Sequence, residues 1–84
     1  MNYYETETFV EIAELIVTFN KNNSNLPVNS VNRKIESLVD YGTPLKDGSI
    51  CGLNITTTVN GKIKNEVKAF KSDKQLITYL KRNV

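Results

Sequence analysis

Ile50-Cys-Gly-Leu-Asn-Ile-Thr-Thr-Thr-Val-Asn-Gly-Lys-Ile-Lys-Asn-Glu-Val-Lys-Ala-Phe70 is the stretch on which the fold class turns. Cys51, Leu53, Ile55, Thr57 and Val59 share one phase of a two-residue alternation rich in β-branched side chains, which predicts a strand from Ile50 to Val59. Asn60-Gly61 is the strongest short hairpin signal, and Lys62 to Phe70 alternates again with Ile63, Val67 and Ala69 in phase. Paired hairpin residues point to the same face, so the turn decides which side chains meet. A two-residue Asn60-Gly61 loop sets Leu53 against Lys68. A three-residue loop, with Gly61 left-handed in a bulge, sets Leu53 against Val67 and Thr57 against Ile63, and brings both apolar faces together. The pattern favours the bulged loop, although a bulge elsewhere, for instance at Gly52, restores the two-residue alternative for part of the ladder.

Downstream of the hairpin, Ser72 and Gln75 form a capping box, and Leu76, Ile77 and Leu80, with Tyr79 beside them, make one face of a helix ending near Lys81-Arg82. Upstream, Gly42 to Ser49 is a turn-rich connection containing Pro44 and Asp47-Gly48. Before it, Val31, Ile35, Leu38 and Val39 fall at helical spacing, which predicts a helix from Asn29 or Ser30 that Gly42 stops. Asn32, Arg33, Glu36 and Asp40 occupy its polar face, with Lys34 at the edge. Residues 21–29 read as a loop. Thr8 to Asn20 is the most apolar segment, a helix expected to start with a Thr8/Glu11 capping box and to leave only Glu11, Glu14, Thr18 and Lys21 for water. The expected fold is a small single α+β domain spanning residues 1–84, in the order helix-helix-strand-strand-helix. Its antiparallel hairpin packs Leu53, Ile55, Ile63 and Val67 on the first helix.

Eighty-four residues provide one small core. No apolar run approaches the ~20 residues of a membrane span, and the first residues lack the basic start and apolar stretch of a secretion leader. The expectation is a cytoplasmic protein with no membrane partner. A single cysteine permits no internal disulfide, and Cys51 is read as a small buried apolar group. Residues 1–40 carry three basic and six acidic side chains, whereas residues 41–84 carry eight basic and three acidic, so the chain is dipolar. Asn, Lys, Ile, Tyr and Phe, encoded by AT-rich codons, supply 34 of the 84 residues, a usage compatible with a phage or mobile element.

Histidine, the commonest general base and metal ligand, is absent from the sequence. One cysteine and scattered carboxylates make no zinc site, and Gly48-Ser-Ile-Cys-Gly52 precedes a strand rather than opening a helix, so it lacks the context of a phosphate-binding loop. The sequence therefore points away from an enzyme and predicts no catalytic, cofactor or metal residues. Binding is better provided for. Lys62, Lys64 and Lys68 are expected on the exposed side of the hairpin, with Asn54, Thr56 and Thr58, as a basic ribbon with Lys71 and Lys74 nearby, and Glu5, Glu7, Glu11 and Glu14 form an acidic set. Lysines on an exposed strand also keep it from pairing with other chains. The expected function is that of a small inhibitor or adaptor that occupies a macromolecular partner, protein ahead of nucleic acid.

The alternative is a nucleic-acid-binding regulator that contacts phosphates through Arg33, Lys34, Lys62, Lys64 and Lys68. A helix followed by a hairpin resembles the layout of winged-helix DNA binders, with Val31 to Gly42 in the place of their recognition helix. The resemblance covers less than half the chain, since residues 21–29 do not supply the second helix of a helix-turn-helix, and no family is assigned.

Overall fold

The structure, a computed structural model describing residues 7–84, has the order α1 (Glu7–Asn23), β1 (Asn32–Asp40), β2 (Cys51–Val59), β3 (Lys62–Phe70) and α2 (Asp73–Asn83). The three strands form one antiparallel sheet in the order β1-β2-β3. Both helices lie on the face that carries Cys51, Leu53 and Ile55. Ile12 and Phe19 of α1, Ile35 of β1, these three residues, Phe70, and Leu76 and Leu80 of α2 form one buried cluster. Glu5 of the acidic set lies outside the described residues, as does the reading of the first residues as leader-free.

The segment expected to be a second helix is strand β1. A bulge between Ile35 and Ser37 explains the misreading. Arg33 and Ile35 pair with Thr57 and Ile55 on the helix-covered face, and the extra residue Glu36 then resets the phase, so that Leu38 faces Leu53 on that same side. The three-residue step from Ile35 to Leu38, which a regular strand never makes, imitates helical spacing. Gly42 does adopt a left-handed backbone (φ 70°), but in a turn after a strand, where its N–H donates to the Asp40 carboxylate at 2.9 Å.

The hairpin uses the two-residue loop, contrary to the expected bulge. Asn60 (φ 51°) and Gly61 (φ 79°) are both left-handed, as a type I′ turn requires, and Val59 pairs with Lys62. Leu53 consequently faces Lys68, Ile55 faces Glu66, and Thr57 faces Lys64. The mismatch is tolerated because β3 is an edge strand that the helices hardly cover: of its nine residues only Phe70 is buried. Leu53 and Ile55 pack beneath the helices as expected, whereas Ile63 and Val67 point to the opposite face, the reverse of the expected arrangement.

Helix α2 follows its sequence closely. The Ser72 hydroxyl accepts from the Gln75 N–H at 3.2 Å, while the Gln75 carboxamide oxygen accepts from the N–H of Lys71, one residue earlier than a regular capping box. Helix α1 is a flanking layer rather than a central one. Thr8 lies inside its first turn rather than at the cap, and Val10 and Val17, expected to be covered, are exposed. No helix among the described residues is long and apolar enough to cross a membrane.

Candidate functional site

Alternation along the strands gives the sheet two faces of different chemistry. On the helix-covered face, and not on the outer face expected for these lysines, β3 carries Lys62, Lys64, Glu66 and Lys68; all four are exposed, and of them Lys68 meets α2. Arg33 is on this face too, in a cross-strand row with Thr57 and Lys64, and its guanidinium carbon lies 5.3 Å from the centroid of the Phe19 ring. Lys34, the next residue, points to the other face. The five cations singled out from sequence therefore do not form one surface: four share a side of the sheet and Lys34 is separated from them.

Between β3 and α2 runs a groove of about 620 Å³ lined by Lys68, Ala69, Phe70, Ser72, Lys74, Gln75, Thr78, Tyr79 and Arg82. Tyr79 packs on Phe70, with ring centroids 5.4 Å apart and planes tilted by 52°. The Lys68 ammonium sits 5.3 Å above the Tyr79 ring, which fixes the strand side of the groove against the helix side. Lys74, Thr78 and Arg82, spaced four residues apart, come onto one face of α2. The lining includes three cations and no carboxylate. Sequence reasoning noted Lys74 only as a neighbour of the hairpin and missed Tyr79 and Arg82 as groove residues; the four-residue spacing was the available signal.

Among the described residues no helix covers the opposite face of the sheet. Its paired positions are Asn32, Lys34, Ser37 and Val39 on β1, Thr58, Thr56, Asn54 and Gly52 on β2, and Ile63, Asn65, Val67 and Ala69 on β3, with Lys34 the one charge among them. Ile63 is 68% exposed and Val67 is 54% exposed. The Tyr41 hydroxyl and a Val67 methyl close over Gly52, each 3.0 Å from where a Cβ on that glycine would lie. Only glycine leaves room for both. The Thr56 hydroxyl donates to the Asn65 side chain at 2.8 Å and fixes the middle of this face.

The potential nucleophile is withdrawn from chemistry. Cys51 is buried as expected, and burial, reinforced by Asp73 and Asp40, pushes its thiol up to about 11. The Asp73 Oδ1 atom is itself buried with no hydrogen-bond partner among the described residues; its place in the first turn of α2 sets it in the favourable field of the helix dipole. Asp47 is held below the ordinary carboxylate value, chiefly by the Ser49 N–H that it accepts at 2.9 Å, and shapes the β1–β2 loop. Among the described residues no three metal-ligating side chains come together. No family model, curated protein or solved structure matches the chain.

Proposed function

We propose that this chain is a small non-enzymatic binding protein, of inhibitor or adaptor type, that acts by occupying a protein partner through the uncovered face of its sheet. The observation that carries this reading is the placement of Ile63 and Val67. An antiparallel sheet that turns one face to water ordinarily carries polar residues there, yet these two large aliphatic side chains stand exposed on it, Val67 next to Tyr41 over Gly52. One lysine among twelve paired positions gives this face little to offer a polyanion, and a nearly neutral surface of aliphatic, threonine and asparagine side chains suits a protein surface. The fixed Thr56–Asn65 bond and the packing over Gly52 hold its shape before binding, which lowers the ordering cost of association.

The experiment is affinity capture from a low-GC bacterial lysate with wild type and with Val67→Lys. Capture of a protein by the wild type and its loss with the variant support the reading. Equal capture by both places the interface elsewhere. The regulator alternative loses its recognition helix, because residues 32–40 are a strand on which Arg33 leans against Phe19.

A further inference from the structure

We propose that the groove between β3 and α2 is a second binding site, on the side of the sheet away from the partner face, and that it takes the phosphodiester backbone of a nucleic acid. Edge protection accounts for Lys62, Lys64 and Lys68, because lysines along an unpaired strand repel strand addition. It does not account for Lys74 and Arg82, which lie on a helix and line the same groove as Lys68. Among the described residues the one ion pair joins Lys81 to Glu11 at 3.4 Å, so the three groove cations have no carboxylate to neutralise them. A cleft lined by charges of one sign concentrates ligands of the opposite sign.

The geometry suits a chain of phosphates better than a single anion. Lys74 and Arg82 are eight residues apart, roughly 12 Å along the helix, and one nucleic-acid strand presents a phosphate about every 3.4 Å of duplex axis. Several phosphates therefore fit between the two ends of the groove. At the α2 amino terminus the Ser72 hydroxyl already accepts from the Gln75 N–H, and the Gln75 side chain is engaged by the N–H of Lys71. Affinity rests on side-chain charge and carries little sequence preference, because a single arginine in the groove leaves little capacity for forked base recognition.

The test is fluorescence anisotropy with labelled single-stranded and duplex oligonucleotides, and with a labelled polyglutamate peptide, from 0.05 to 0.2 M salt. Three phosphate contacts predict a log–log slope of about −2 on single strands and −2.7 on duplex, so that fourfold more salt weakens binding roughly 20- to 40-fold. Lys68→Gln/Lys74→Gln/Arg82→Gln should abolish this salt-dependent binding, whereas Lys21→Gln/Lys46→Gln/Lys62→Gln, with the same loss of charge outside both the groove and the uncovered sheet face, should stay within about twofold of wild type. Arg82→Gln alone, at an exposed position, should reduce the slope by about one and serves if the triple variant does not fold. No binding at 0.05 M salt, equal weakening by the two triple variants, or polyglutamate bound as tightly as the oligonucleotides overturns the proposal.

Discussion

The Asn20 carboxamide is bonded twice to the backbone of Ile35: its oxygen accepts from the Ile35 N–H at 2.8 Å and its NH₂ donates to the Ile35 carbonyl at 3.1 Å. A side chain from α1 thus does for the outer edge of β1 what a fourth strand would do. It occupies one residue's worth of the ladder and holds the strand straight before the bulge at Glu36. Replacing it leaves two partly buried backbone groups without these bonds. Asn20→Ala should cost about 1–3 kcal/mol in chemical denaturation. Asn20→Asp should not rescue it, because a carboxylate cannot donate to the Ile35 carbonyl.

The two faces of the sheet should answer differently to truncation. Leu53 is fully buried under the helices, and Leu53→Ala should destabilise by about 2–5 kcal/mol. Ile63→Ala should stay within about 0.5 kcal/mol of wild type, since its side chain stands in solvent. Equal losses at the two positions would restore the bulged register, in which Ile63 joins the core.

The turn supplies an independent check on that register. Asn60 and Gly61 both have positive φ, so Gly61→Ala and Asn60→Ala should each cost about 1 kcal/mol or more in thermal or denaturant unfolding. Asn60→Gly should be close to neutral. In a three-residue loop only Gly61 would need a left-handed backbone, and Asn60→Ala would be harmless.

These positions also show where the sequence was legible. The strands of the hairpin and α2 follow their alternation and capping residues because local pattern and tertiary burial agree there. Residues 32–40 mislead because one bulge converts a two-residue period into a helical step between Ile35 and Leu38. The register misleads for a different reason: matching the apolar faces of two strands assumes that both are covered, whereas β3 buries only Phe70. At an edge strand the Asn-Gly turn outweighs the burial of two aliphatic side chains. The cations were legible as residues but not as surfaces, since Lys34 and Arg33 part company on a strand where a helix would have kept them closer.

Cys51 couples stability to alkaline pH. Its thiol deprotonates near pH 9 in the unfolded chain and at about 11 in the folded one, so its contribution is fully present below pH 9 and is lost as pH rises towards 11. The loss is roughly 2–3 kcal/mol across that window. Comparing unfolding of wild type and Cys51→Ala at pH 8 and pH 11 isolates it: the stability difference between the two proteins should shrink at the higher pH. The same burial should keep Cys51 unreactive towards a thiol reagent at pH 8 until the protein is unfolded.

The central claim is that the uncovered sheet face, through Ile63 and Val67, is the surface that holds a protein partner. The most direct measurement is quantitative affinity capture with wild type, Val67→Lys and Ile63→Lys at physiological salt, after circular dichroism has shown all three equally folded. The account predicts a protein retained by wild type and lost from both variants, with Lys68→Gln/Lys74→Gln/Arg82→Gln retaining it. Retention of the same protein by both sheet-face variants would contradict the claim.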